Sequence, residues 1–383
     1  MAQGSDIGII GAGPAGCACA YFLCNAGMKV SLIDSGRPLR TILPTGGGRC
    51  NLAHAEFDFR ELAKNYPRGE KFLYSVFSQF STSDTLDFFN NIGIETYTQD
   101  DGRIFPLSDS SAEVRDKLLS ALSSCRFIKE KALRIEKQQN CFKVVTDMNS
   151  YNFDKIVVST GGRAGYDMIK RLGVAIIEPK PSLVGLVTVN NFKELMGTTV
   201  KNVLNNETGL SGNLLFTHFG MSGPLIYKLS ALKAREKMPY NLSFNFCPDL
   251  DAPTLQLILN DNPHKFLKNI LSDFIPHKFA EYILTRANIN PELKAHRTDG
   301  KTRDLVVKTL SEFEITVKST QKDGETVTAG GVSLDKINPK TMESKEVEGM
   351  FFCGEVIDVD GFCGGFNLQN CWSTAYIASR GLC

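Results

Sequence analysis

The chain has 383 residues, enough for two or three domains. Apolar residues make up 42% and charged residues 22%, which excludes a disordered chain. Forty-three basic against 42 acidic side chains leave a net +1, so the overall charge gives no reason to expect nucleic acid or an anionic membrane as a partner. Eleven cysteines are scattered from Cys17 to Cys383 without a CxxC pair, and the five histidines form no HExxH. That pattern argues against a disulfide framework or a bound metal and for a cytoplasmic home.

The first elements come from an uncharged run of 22 residues, Ile7 to Met28. Its length would span a membrane, but its glycines, Pro14 and the lack of a basic flank argue otherwise. Asp6 to Ile10 reads as a strand, Gly11-Ala-Gly13-Pro-Ala-Gly16 as a GxGxxG turn, and Cys17 to Ala26 as a helix. Lys29 to Asp34 reads as a second strand that ends on an acid at the offset expected of a dinucleotide fold. Gly11 permits the tight turn, Gly13 lets backbone approach a pyrophosphate, and Gly16 lets helix and strand pack closely. The helix N-terminus suits a phosphate, and Asp34 suits ribose hydroxyls. This unit alone does not separate NAD from FAD.

Thr45-Gly-Gly-Gly-Arg-Cys-Asn51 follows, a glycine run that favours neither helix nor strand and can lie against a ligand. A helix is expected over Ser83 to Asn91, then Gly102-Arg-Ile-Phe-Pro106. A second helix starts at Ser110 with Glu113 in a capping-box position. Short strands around Phe127, Phe142 to Thr146 and Ile156 suggest a small sheet. Phe153 to Thr160 reads as a strand running into Gly161-Gly162, with a helix from Asp167 to Leu172 beyond it.

Residues 183–326 read as an inserted β domain. Its strands are expected at Leu183–Val189, Thr199–Leu204, Leu214–Phe219, Leu242–Phe246 and Phe313–Lys318, with a helical excursion at about 252–310. Ser222 reads as the N-cap of a helix that begins at Pro224. From 327 the nucleotide-binding domain resumes. Met350 to Cys353 is an apolar strand, Gly354-Glu355 follows, and a helix from about Leu368 to Ser379 comes after Gly364-Gly365. The positive end of that helix would favour a reduced, anionic flavin.

Together GAGPAG, TGGGRCN, GRIFP, STGG, LLFTHFGMSGP and the C-terminal GMFFCGEVIDVDGFCGGFNLQN resemble one bacterial flavoprotein family. Its members are described as aminoacetone oxidase-like or 3-dehydro-bile-acid reductase-like NAD(P)/FAD-dependent oxidoreductases. The resemblance implies an α/β fold: a glutathione-reductase-like Rossmann domain that binds FAD, discontinuous over 1–182 and 327–383, around a β-barrel-like insert with a small helical subdomain. It implies that Gly11, Gly13, Pro14, Ala15 and Gly16 hold the pyrophosphate and Asp34 the adenosine ribose. Gly47, Gly48, Arg49, Cys50 and Asn51 would line the path to the flavin, and Thr160 and Gly161 would touch cofactor backbone. Gly354 and Glu355 would lie near the ribityl chain, with Gly365, Phe366, Asn367 and Leu368 along the isoalloxazine.

Some positions depart from the family pattern. The TGSTGDG-type loop after the STGG is missing. Cys363, Phe366 and Cys371 stand where threonine, tyrosine and alanine are usual, and Leu52-Ala-His54 replaces V-T-N. These changes leave FAD binding expected and the substrate open.

The implied activity is hydride transfer between a small organic substrate and flavin N5. The second electron partner is O2 or a transiently bound NAD(P)H, since no second GxGxxG exists. A substrate pocket is expected where the FAD domain meets the insert. His218, on a side chain suited to proton exchange at neutral pH, is a catalytic candidate, with Arg49 and Asn51 beside it. Arg49 would hold a substrate carbonyl or neutralise the pyrophosphate, and Cys50 could act as a redox thiol. Two alternatives stay open: a flavin-dependent RNA-modifying enzyme, which the charge balance disfavours, and a non-catalytic FAD protein. Neither a nucleic-acid partner nor a membrane is expected.

Overall fold

The computed structural model describes residues 6–322 and 327–383, so the end expected for the insert, 326, lies outside the described residues. The chain divides into two compact units, residues 1–180 with 327–383, and residues 181–326.

The first unit is built on five parallel strands. They are β1 (Asp6–Ile10), β2 (Lys29–Ile33), β3 (Arg126–Ile128), β4 (Lys155–Val158) and β5 (Met350–Phe352). Their order is β5-β4-β1-β2-β3, the doubly wound arrangement in which strand order reverses beside β1. β1 is paired on both sides, and Ile7, Ile9 and Ile10 are almost fully buried, as a strand covered on both faces requires. The register brings Ile10 opposite both Ile33 and Val158, and Val158 opposite Phe352. The segments that follow these strands therefore start level with one another at one edge of the sheet.

Helix α1 (Pro14–Asn25) covers the sheet with a run of small buried residues, Ala15 to Ala20. A Cβ on Gly16 would lie 2.0 Å from the Gly11 carbonyl oxygen and 2.6 Å from Ser159 Oγ. Helix and strand thus approach more closely than any side chain allows. Ser159 Oγ lies within hydrogen-bonding distance of the Ile10 and Gly11 carbonyls (3.1 and 2.9 Å), which ties the end of β4 to the glycine turn. Helix α2 (Phe366–Leu382) packs against α1 and is buried over most of its length. Its Trp372 is fully buried and donates Nε1–H to the Leu52 carbonyl at 2.9 Å.

Two of the expected short strands belong elsewhere than in a small sheet. Arg126–Ile128 is the edge strand of the parallel sheet and Lys155–Val158 is one of its inner strands. The small antiparallel sheet is formed by 132–137, 142–146 and 150–153. Short apolar runs look alike in sequence whichever partner they find. The reciprocal capping box also lies elsewhere. Ser81 N–H donates to Asp84 Oδ2 at 2.7 Å, whereas Glu113 pairs with Lys117 and leaves Ser110 to cap alone.

The second unit is a closed six-stranded barrel. Its strands follow one another around the ring as 186–188, 220–222, 211–216, 199–205, 240–245 and 313–320. The strand Gly220–Ser222 was not anticipated, and it displaces Ser222 from the expected cap. Gly223 is the N-cap of the helix Pro224–Leu232, and Ser222 Oγ donates to the Tyr227 hydroxyl at 3.0 Å. Between barrel strands 240–245 and 313–320 the chain makes helices at 252–261, 267–271, 277–286 and 300–311. Phe246 joins barrel to helices, with its ring 4.5 Å from Phe279 and 5.3 Å from Phe313.

The packing at Gly16 is testable. Gly16→Ala is expected to destabilise the apo-protein by about 1–3 kcal/mol through overpacking. Thermal unfolding should show Tm lowered by several degrees.

Candidate functional site

The level strand ends place four loops at the carboxyl edge of the sheet, where ligands of doubly wound folds bind. The first loop is rigid. Asp34 Oδ2 accepts the Ala12 N–H and Oδ1 the Gly36 N–H, both at 2.7 Å. Gly11 N–H donates to the Ile33 carbonyl at 2.9 Å, and Leu39 N–H to the Ala12 carbonyl at 2.8 Å. Asp34 therefore stands beside the glycine turn, with its two oxygens already organising it.

Gly13 differs from Gly16. Among the described residues, the only neighbour of a Cβ there would be Thr41 Oγ1 at 3.9 Å. Gly13 is also the N-cap of α1 and offers no side-chain cap, and Pro14 at the helix start has no N–H. The positive end of α1 is left without a covering side chain, next to open space.

The second loop carries three consecutive left-handed glycines, Gly46, Gly47 and Gly48, with φ of 58°, 70° and 88°. No atom of the described residues lies within 4 Å of a Cβ on Gly47 or Gly48. Cys50 follows with φ 65°, buried, its N–H on the Thr45 carbonyl at 3.0 Å. Burial pushes its thiol up to about 12, with a hydrogen bond to Thr45 pulling partway back. The thiol is then protonated at neutral pH, which suits packing rather than redox chemistry. The Arg49 guanidinium lies 4.1 Å from the Phe105 ring centroid, its Nε donates to the Gly46 carbonyl, and NH1 is 3.8 Å from Asp109 Oδ1.

Asn51 links this loop to the C-terminus. With its amide oriented to satisfy its neighbours, it donates to the Ala53 and Ile104 carbonyls and accepts the Gly365 N–H at 2.9 Å. Gly365 packs on Ala53 so closely that a Cβ would lie 2.2 Å from its carbonyl oxygen. Asn367 clips the loop before α2, donating to the Gly361 carbonyl and accepting its N–H, both at 2.8 Å. The Phe366 ring is turned inward, 3% exposed, stacked on His54 at 4.6 Å and edge-on to Tyr66. Leu368 packs partly buried against the core. The N-cap of α2 is Gly365, with no side-chain cap. This 17-residue helix thus presents a second uncovered positive end.

Around β4 and β5, Thr160 Oγ1 donates to the Ala164 carbonyl at 2.8 Å. Glu355 Oε1 accepts the Thr328 N–H at 2.7 Å, and Gly161 and Gly162 face the Glu355 carboxylate. Gly354 N–H donates to Thr374 Oγ1, and a Cβ on Gly354 would lie 2.6 Å from that of Ala15, so this loop sits directly on α1. Cys371 lies beneath it, its thiol pushed up to about 12 by burial and then by the Glu355 charge.

Three participants were not visible in the sequence. Tyr66 donates its hydroxyl to the Phe366 carbonyl at 2.6 Å. Arg68 forms a bidentate ion pair with Asp360, whose side chain is fully buried. His54 Nδ1 bonds the Gly364 carbonyl at 3.0 Å. Each partner lies roughly three hundred residues away, so no local spacing signals it. The last catalytic candidate, His218, belongs to the second unit. It lies exposed in the turn before 220–222, edge-on to Phe219 at 5.1 Å, and makes no hydrogen bond among the described residues.

The residues present fit a dinucleotide. Two helix N-termini without capping side chains, an acid at the end of β2, and glycines whose missing Cβ atoms leave open space form one cradle at the sheet edge. Gly13→Ala should leave apo-protein stability within about 0.5 kcal/mol, because its backbone is extended and its surroundings are open. The same change should weaken FAD binding at least roughly tenfold, about 1.4 kcal/mol, in a flavin fluorescence titration. Alkylation of the native protein at pH 8 should label the exposed Cys363 and Cys383 and spare Cys50 until unfolding.

Residues 5–381 match the model of the family described as HI0933-like protein Rossmann domain. The chain is 30% identical to the ribosomal RNA dihydrouridine synthase of Escherichia coli, with 98% of each chain covered. It is 27% identical to the 3-dehydro-bile acid delta(4,6)-reductase of Clostridium scindens, again over 98% of each. Among solved structures, the open conformation of a flavocytochrome c3 fumarate reductase aligns with TM-score 0.52 at 14% identity, covering all of this chain and 78% of that one. That likeness concerns the fold alone. No helix among the described residues is long and apolar enough to cross a membrane. With its Rossmann sheet, its glycine cradle and a match over nearly its whole length, the chain belongs to the HI0933-like family of FAD-binding Rossmann proteins.

Proposed function

We propose that the protein is an FAD-dependent reductase that adds hydrogen across a carbon–carbon double bond conjugated to a carbonyl, with NAD(P)H as electron source. The observation that carries this reading is the end-to-end similarity to two relatives whose names describe one chemistry on different molecules. A dihydrouridine is a uridine with two added hydrogens, and a delta(4,6)-reductase of a 3-oxo compound saturates bonds conjugated to its carbonyl. The ribosomal RNA uracil is the favoured substrate, because two relatives with that name reach 30% identity over 98% of the chain. A small enone is the second reading, supported by the bile-acid relative.

On this reading the FAD domain is the first unit extended to residue 182, split as 1–182 and 327–383 around the insert. FAD, when bound, supplies the atom that carries hydride. Gly13, Pro14 and Ala15 face the pyrophosphate, with Gly11 and Gly16 closing the turn behind them, and Asp34 faces the adenosine ribose. Gly47, Gly48, Arg49, Thr160, Gly161, Gly354 and Glu355 line the remainder. Asn51 acts by fixing the N-terminus of α2, whose N–H groups favour negative charge beside them. The hydride goes to the carbon β to the carbonyl and a proton to the carbon α to it. We assign that proton to His218, whose imidazole is exposed and free of internal hydrogen bonds.

The test is anaerobic. NADPH or NADH should bleach the flavin absorbance of the loaded protein, and a conjugated enone or uridine-containing ribosomal RNA should restore it with one equivalent of reduced product. Absence of bleaching by either nicotinamide overturns the reductase reading. His218→Gln should lower the rate of substrate reduction by roughly 10²–10⁴ and leave flavin reduction unchanged.

A further inference from the structure

The net +1 of the chain conceals an uneven distribution. Residues 262–303 contain eight Lys and Arg against four Asp and Glu, so they carry +4 while the rest of the chain carries −3. Three of the five histidines, His264, His277 and His296, lie in the same stretch. This stretch lies within the helical excursion of the insert, which over 252–310 carries nine Lys and Arg against six Asp and Glu.

Its fold brings three of these cations, Lys265, Lys294 and Arg297, together on one short ladder. Residues 263–267 run antiparallel to 293–296. Leu267 N–H donates to the Leu293 carbonyl at 2.8 Å and Ala295 N–H to the Lys265 carbonyl at 3.0 Å, with a bridge between Phe266 and Lys294. His296 bonds the Pro263 carbonyl through both its N–H and its Nδ1, at 3.1 and 2.7 Å. This ladder sets His264, Lys265, Lys294, His296 and Arg297 side by side, all exposed. The His264 and His296 rings meet at 5.9 Å.

The acids close to this surface are already engaged. Glu292 and Glu281 share Lys268, which leaves Lys268 outside the free set. Asp299 accepts the Thr302 N–H as a helix cap, and Asp273 stands 3.8 Å from Lys265. Lys278, Lys294 and Arg297 make no ion pair among the described residues. Phe274, 41% exposed, lies in the turn ahead of Lys278. Unpaired cations beside exposed flat rings match a nucleic-acid strand: the cations neutralise phosphates, and the rings offer stacking faces to bases.

We propose that this ladder is an RNA-docking surface, through which the insert holds a ribosomal RNA substrate. The proposal rests on the ribosomal RNA reading given above. The test uses the full FAD-loaded chain and deproteinised ribosomal RNA from the source organism. It compares the wild type with Lys294→Glu/Arg297→Glu and with Lys201→Glu/Lys318→Glu, an equal charge change on exposed barrel positions.

With about four phosphates neutralised, wild-type affinity should fall roughly fifty-fold between 50 and 200 mM salt. The Lys294/Arg297 double variant should bind at least roughly tenfold more weakly, with a salt slope shallower by about one to two units, and should reduce cyclohexenone at the wild-type rate. The barrel control should bind as the wild type does. Equal binding by all three proteins, or an equal loss in both doubles, overturns the surface. Dihydrouridine formed by the wild type reports on the functional reading, whereas the difference between the doubles reports on the surface, so the two fail separately.

Discussion

The contact on which the cofactor cradle depends is the approach of α1 to the carboxyl end of β1. At Gly16 the helix backbone comes so near the Gly11 carbonyl that a methyl group would overlap it. That contact fixes where the helix begins, and therefore where its positive end points. The Ser159 hydroxyl braces the same corner from β4, and Asp34 braces it from β2. Three strands far apart in the chain thus converge on one turn of six residues. The neighbouring Gly13 has the opposite environment, with room instead of contact. Two glycines of one motif do two physical jobs, one packing against the protein and one leaving open space.

A second set of constraints joins the ends of the chain. Asn51 holds the Gly365 amide, Trp372 holds the Leu52 carbonyl, and Tyr66 holds the Phe366 carbonyl. Arg68 and the buried Asp360 add an ion pair, of the kind in which removal of one partner leaves a costly buried charge. All four ties hold the start of α2 against the 45–68 region. Gly46, Gly47, Gly48 and Cys50 can then keep left-handed backbone that would be unfavourable in a free loop. Cys50 is the strained member, since it lacks the freedom of its glycine neighbours. Its buried, protonated thiol is consistent with a residue kept for fit.

Much of the architecture was legible from local pattern. The strand–GxGxxG–helix–strand–acid unit, the glycine triplet and the helix after Gly365 all depend on spacing within about thirty residues. The level strand ends at Ile10, Ile33, Val158 and Phe352 were not legible, because register depends on pairing between distant strands. Arg126–Ile128 and Lys155–Val158 were misassigned to a small sheet because a three- or four-residue apolar run carries no information about its partner. Gly220–Ser222 was missed because Ser222 two residues before Pro224 reads as a helix cap, although barrel closure pairs the segment on both sides.

The sequence by itself determined the family and the nucleotide fold, because the features that carry them are short-range and depend on backbone chemistry. Tertiary structure alone decided which glycines face protein and which face open space, since that depends on what a distant segment places there. It also decided the roles of Tyr66, Arg68, Asp360 and His54, whose partners lie hundreds of residues away. Charge followed the same division. A chain total of +1 says nothing of how charges are spread, and it is the ladder between residues 263–267 and 293–296 that brings Lys265, Lys294 and Arg297 together. Total charge is a sum over all positions, whereas binding responds to the local field that the fold creates.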